Sequence, residues 1–271
     1  MKILKTMLIY ASLTILLVGC LQVETTINVN KDGSGTINEK VLMSKTFVNM
    51  IKEFAMAFQD SVSTEEFILF KDEEIIADAK DYGEDVKYVS HTSISNDQWE
   101  GFQAVYSFSD ISKVRIQPDP DSKVGVNEEE PVTSVDKEYY FFEFNKGDVA
   151  ELIIDRPDLE FTPDAAEDSE YESSEQNDEE MEDEFVKMME GMKINIAIQV
   201  DGKITSTNAS FTEGSKITLM KMDFGEMMKN KESFKEFRNK EPKNIEEMKK
   251  FLEKFPGMQI EVEKPISVKF K

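Results

Sequence analysis

Imidazole and thiol groups, the commonest carriers of acid–base, nucleophilic and soft-metal chemistry, are scarce in this chain. It holds one histidine, His91, and one cysteine, Cys20, in 271 residues. One histidine excludes paired-imidazole metal sites such as HExxH. One cysteine excludes an intrachain disulfide and any CxxC redox or zinc pair. His91 alone could act as a general base. However, no nucleophile motif such as GxSxG accompanies it, and it lies in Val86 to Ser95, which reads as an ordinary strand. Carboxylates are abundant, with 55 acids against 32 bases and a net charge of −23. Their number singles out no general acid and base. Neither a Walker glycine loop nor GxGxxG is present, and the acidity argues against a nucleic-acid partner. The sequence assigns no catalytic residue, metal ligand or cofactor, and the expectation is a protein that is not an enzyme.

Two constellations merit a closer test. Asn30 to Val41 (NKDGSGTINEKV) spaces Asn30, Asp32 and Ser34 like oxygen ligands of a calcium loop. Such a loop starts on Asp and ends on a bidentate Glu, whereas here the ends are Asn30 and Val41. A shift of two places puts Glu39 last but Asn28 first. Both flanks read as strands rather than helices, so a hairpin turn is expected, with glycine supplying positive φ. The second constellation is methionine. Ten of the 15 fall between Met181 and Met258, most densely at Met188, Met189, Met192, Met220, Met222, Met227 and Met228. Methionine suits adaptable apolar binding or soft-metal capture. Copper capture usually adds His or Cys, and neither is nearby. The seven therefore either fill an irregular core or line an apolar ligand groove.

The N-terminus carries an address. Lys2 and Lys5 precede an apolar run, Met7 to Val18, which closes on Leu17-Val18-Gly19-Cys20. A positive start, a short apolar core and a small residue at the cut read as a secretory signal peptide over residues 1–19. The alternative, an uncleaved membrane helix, needs ~20 apolar residues, more than this run offers. Leu-x-Gly-Cys resembles the bacterial lipobox. That resemblance implies cleavage before Cys20, diacylglycerol on its sulfur and, in many bacteria, an acyl chain such as palmitate on the new amine. Two or more chains give stable anchoring. The implied location is the bacterial cell envelope, anchored in the membrane and facing outside the cytoplasm. By the same resemblance, Leu21 in place of aspartate favours the outer membrane where there are two.

Residues 20–271 are expected to form a single extracytoplasmic α+β domain. Its charge is uneven, since residues 155–184 hold 15 acids and one base, Arg156. Dense like charge with few apolar residues cannot offset ordering entropy, so 155–184 reads as a disordered acidic insert. Gln117 to Val135 reads as a long loop. Residues 229–250 hold eight bases and five acids. They suit a solvated helical face, docking of the acidic insert, or contact with anionic headgroups.

The remaining pattern alternates between periods of two and 3.6. Leu21 to Val29 and Thr36 to Leu42 form a hairpin about Asp32-Gly33-Ser34-Gly35. Ser44 caps a helix carrying Phe47, Ile51, Phe54 and Phe58 on one face. A second helix covers Asp72 to Tyr82. Strands follow at Val86–Ser95, Trp99–Phe108, Lys137–Asn145 and Val149–Ile154. Ile194 to Val200 turns at Asp201-Gly202 into a return strand, Lys203 to Phe211. Asp223 with Glu226, and Asn244 with Glu247, form capping boxes for two helices. One strand, Met258 to Phe270, closes the domain, with Pro265 marking an edge or bulge. Residues 21–58 and 194–230 both read strand, Asp-Gly turn, strand, helix, as a repeat or by chance. Together these elements predict an antiparallel sheet of hairpins with helices packed on one side.

Three segments in this order resemble the LppM-type bacterial lipoproteins. They are the strand starting directly after Cys20, Gly101-Phe102-Gln103-Ala104-Val105-Tyr106 before an aromatic strand, and Ile204-Thr205-Ser206-Thr207-Asn208 after the second hairpin tip. Mycobacterial members have been linked to lipid binding through a sheet-and-helix domain, so the resemblance implies a ligand role. The chain departs from that pattern in its acidic insert and in reaching Lys271 without an apolar membrane helix. The reading is a lipid-anchored, non-enzymatic binding module for an apolar ligand or a membrane-associated partner. The alternative is a structural or interaction lipoprotein whose acidic insert recruits a basic partner or divalent cations.

Overall fold

The computed structural model describes residues 21–58 (backbone only at 51 and 54–58), 69–119, 139–158, 191–229, 242–255 and 257–271. It is α+β, with mostly antiparallel strands in two sheets. The larger sheet is ordered β10-β11-β8-β1-β2-β4-β3, with β12 also pairing β11. Its strands are β1 (Leu21–Val29), β2 (Gly35–Ser44), β3 (Lys87–Ser95), β4 (Trp99–Phe108), β8 (Lys193–Val200), β10 (Thr212–Glu213), β11 (Lys216–Asp223) and β12 (Met258–Ile260). The smaller sheet runs β5 (Arg115–Ile116), β6 (Tyr140–Asn145), β7 (Ala150–Asp155), β13 (Ile266–Phe270) and β9 (Ile204–Thr207).

The first hairpin forms as its alternation dictates. Leu21 pairs with Met43 and Val29 with Gly35, and every odd-numbered residue of β1 is buried. Gly33 takes φ +88, and a Cβ on Gly35 would lie 1.9 Å from the Asn28 carbonyl oxygen. The tip is closed by Asp32, whose carboxylate accepts from the Ser34 amide at 3.0 Å and the Ser34 hydroxyl at 2.6 Å. Those two bonds hold the Asp32 carboxyl below its ordinary value. The turn is thus satisfied from within. Glu39, the candidate last ligand of the shifted calcium loop, lies well along β2 with its side chain buried.

The second expected hairpin does not form. The chain does turn at Asp201-Gly202, but both edges of β8 are already taken. One pairs in parallel with β1 and the other antiparallel with β11. Lys203 instead exchanges backbone hydrogen bonds with Lys271, and β9 joins β13 in the smaller sheet. The return strand is therefore only Ile204–Thr207, and β11 adds a strand at Lys216–Asp223 that the sequence pattern does not predict. The likeness between residues 21–58 and 194–230 does not extend to a second hairpin. The expected closing strand from Met258 to Phe270 is likewise divided. β12 pairs β11 in one sheet and β13 pairs β7 in the other. Glu261 separates them, because its side chain accepts from the Val262 and Glu263 amides and turns the backbone out of the ladder. Pro265, which follows a cis bond, stands immediately before β13.

Four α-helices are described: α1 (Lys45–Phe58), α2 (Asp72–Ala77), α3 (Phe224–Met228) and α4 (Ile245–Leu252). The Ser44 hydroxyl accepts from the Phe47 amide at 3.3 Å, and Phe47 and Val48 seat the first turn of α1 in the core. A 3₁₀ turn, Asp78–Lys80, extends α2 and brings Ile75, Ala79 and Tyr82 inward. Asp223 caps α3 by accepting from the Glu226 amide. At α4 Asn244 accepts from the Glu247 amide, while the Glu247 carboxylate accepts from the Asn244 side chain and from the Lys243 amide, one residue before the cap. One contiguous apolar core joins both sheets and these helices.

Candidate functional site

One end of the larger sheet gathers most of the residues singled out by sequence. Cys20, Met188 and Met189 lie outside the described residues, as do residues 159–184 of the acidic run. β1 begins at Leu21, which is buried. Level with its first residues are the end of β2 at Ser44, the start of β4 at Trp99, the start of β8 at Lys193 and the end of β11 at Asp223. The described methionines collect here. Met222 pairs with both Ile194 and Met258, while Met192 immediately precedes β8. Met192, Met220, Met227 and Met228 are buried in the core, and Met222 packs against it half-buried.

Backbone contacts fasten this cluster. The Phe224 amide donates to the Met192 carbonyl at 3.2 Å, and the Asp223 amide donates to the Gly257 carbonyl at 2.8 Å. Gly257 is required for that approach. A Cβ there would lie 2.4 Å from the Asp223 carbonyl oxygen and 3.0 Å from Met227 Cγ. The rim is polar, with Lys193 paired to Asp223 at 3.0 Å. The arrangement is a largely buried cluster of long, unbranched thioethers, which repack at lower cost than branched side chains. Among the described residues, no group of three His, Cys, Asp or Glu is placed to hold a metal ion. Among them, too, no helix is long and apolar enough to cross a membrane.

His91 is more engaged than an isolated strand histidine. Its Nδ1 lies 2.8 Å from the Tyr88 hydroxyl and its Nε2 lies 3.1 Å from Asp72 Oδ1. A neutral imidazole protonated on Nε2 satisfies both, donating to Asp72 and accepting from Tyr88. The triplet ties α2 to the edge strand β3. Sequence gave no signal for it, since Asp72 lies on a different element.

Two buried polar groupings were also missed. Glu39 is fully buried between Thr25 of β1 and Ala104 of β4. Burial, and then the Glu39 charge, push the Tyr82 phenol well above its ordinary value. Burial and the same charge also raise Tyr106, whose hydroxyl donates to the Ile75 carbonyl at 2.9 Å. The second grouping joins Arg156 and Glu261. Arg156 donates from Nε and one terminal nitrogen to the Val262 carbonyl and from the other to Pro157. Glu261 accepts from Ser210 as well as from Val262 and Glu263. Tyr140, nearby, is pushed up to about 12 by burial. The Arg156 and Glu261 bonds tie the end of β7 and the Ser210 loop to the segment between β12 and β13, and so brace the junction of the sheets.

No protein-family model matches the chain, and no curated protein matches it. Among solved structures, the NMR structure of the folded domain of LppM from Mycobacterium tuberculosis is similar over 94% of this chain and 91% of its own. The identity is 10% and the TM-score 0.35, too low for either fold or function to be carried across.

Proposed function

We propose that this is a lipid-anchored protein of the bacterial cell envelope that binds an apolar ligand or a membrane-associated partner without catalysing a reaction. The observation that carries the reading is that the methionine cluster and the start of β1 share one end of the sheet. Cys20 directly precedes Leu21, so a lipid on its sulfur would hold this end at the membrane with almost no tether. Acyl chains would then lie beside the end of the sheet that holds Met192, Met222, Met227 and Met228. Unbranched thioether packing can yield to such a chain at modest cost. The lipobox-like Leu17-Val18-Gly19-Cys20 and the presence of only one histidine and one cysteine support the same reading.

The test is mass spectrometry of the full chain extracted from bacterial membranes. Cleavage before Cys20, with added acyl mass, is expected. A non-covalently held lipid should also co-purify and diminish in a Met227→Ala/Met228→Ala variant. An unmodified form beginning at Met1 refutes the anchor. A protein that retains no lipid or membrane protein refutes the binding role.

A further inference from the structure

The register of the larger sheet says which surface would meet the bilayer. Leu21 pairs with Met43, Met43 with Glu100, and Ser44 with Trp99. Leu21 is therefore level with Glu100, two strands away, and Trp99 is the next residue towards the end of the sheet. Neighbouring strands lie ~4.8 Å apart, which puts the Trp99 backbone ~10 Å sideways from β1. Trp99 is the chain's single tryptophan and is half-buried at the turn of the β3–β4 hairpin. Its position is fixed, because Asn96 Oδ1 accepts from the Gln98 and Trp99 amides and the Lys45 amide donates to the Gln98 carbonyl. That last bond joins the hairpin to the start of α1, whose Met50 is 38% exposed.

We propose that the Leu21 end of the larger sheet rests in the lipid headgroup layer, with Trp99 and the first turns of α1 as its contact surface. The occupant is the bilayer itself, and the proposal rests on the lipid-anchor reading of Cys20. The chain preceding β1 fixes the geometry. An acylated residue adjacent to Leu21 has no linker, so the headgroups must come within a few ångströms of this end. Indole rings partition to that depth because they pair an apolar body with one N–H donor. The opposite end of the sheet, at the Asp32 turn, stands one strand length away, ~30 Å.

The single tryptophan makes the test direct. The full-length lipidated chain is reconstituted into phosphatidylethanolamine–phosphatidylglycerol vesicles carrying lipids brominated near the headgroup. Vesicle flotation is read beside Trp99 fluorescence, and Trp99→Phe/Lys31→Trp places a probe at the far end. Flotation with roughly twofold or greater quenching of Trp99, and none at position 31, is the expected result for an interfacial indole. Flotation with Trp99 unquenched overturns the proposed orientation and leaves the anchor standing. Failure to float, with no acyl mass on Cys20, overturns the anchor and this proposal with it.

Discussion

Glu261 offers a sharp test of how the two sheets are joined. Its carboxylate is fully buried. Oε1 accepts from the Val262 amide at 3.0 Å, the Glu263 amide at 3.0 Å and the Ser210 hydroxyl at 3.1 Å, and Oε2 accepts from the Ser210 amide at 2.5 Å. In Glu261→Gln a carbonyl oxygen can keep the three bonds at Oε1, but the amide nitrogen then meets the Ser210 N–H, donor against donor. One unsatisfied buried donor costs ~1–3 kcal/mol. Glu261→Ala removes all four acceptor contacts. Water will recover some donors, so a loss of ~3–5 kcal/mol is expected rather than the sum over four bonds. Ser210→Ala removes only the hydroxyl bond and should cost ~0.5–1.5 kcal/mol. The assay is urea unfolding followed by Trp99 fluorescence. With a slope of ~3 kcal/mol per molar, Glu261→Gln should lower the midpoint by roughly 0.3–1 M. The order Ala, then Gln, then Ser210→Ala is the signature. Midpoints for Gln and Ala matching the unsubstituted protein would show that this junction is not what holds the chain between β12 and β13.

Alkaline pH should destabilise the protein in a defined window. Tyr140 ionises near 10.0 when unfolded and at about 12 when folded. Its contribution is complete below pH 10 and is lost as pH rises towards 12, on the order of 3 kcal/mol over two units. Tyr140→Phe should flatten that part of the stability profile, which midpoint measurements across the window will show. Gly257→Val should lower the melting temperature by the equivalent of ~1–3 kcal/mol, because its Cβ collides with the Asp223 carbonyl. A melt unchanged from the parent would contradict the close packing of α3. His91→Ala should cost about 1 kcal/mol and speed amide exchange in α2 while leaving β8 protected. Equal exchange in both would show that His91 does not hold α2.

Local pattern was legible where neighbours in sequence are also neighbours in space. The β1–β2 hairpin, the Ser44 and Asn244 caps and the strands through His91 and Trp99 all depend on residues within a few positions of one another. Their hydrogen bonds and alternation are local, so period and turn chemistry suffice. The second hairpin failed as an expectation for the converse reason. Asp201-Gly202 is a sound turn signal, but whether the outgoing strand folds back depends on whether an edge of β8 is free. That was decided by β1 and β11, one of them more than 160 residues away. Pattern also showed no reason to divide Met258–Phe270, because the Glu261 side chain acts through Ser210 on another loop.

The sequence by itself determined the α+β class, the near absence of imidazole and thiol groups and the strand that begins beside Cys20. These follow from composition and short-range period. Tertiary structure alone decided that Met192, Met222, Met227 and Trp99 share the Leu21 end of one sheet. It also decided that Glu39, Arg156 and Glu261 are buried and that His91 reaches Asp72. Parallel pairing and sheet switching join residues far apart in the chain, and no local propensity specifies such partners.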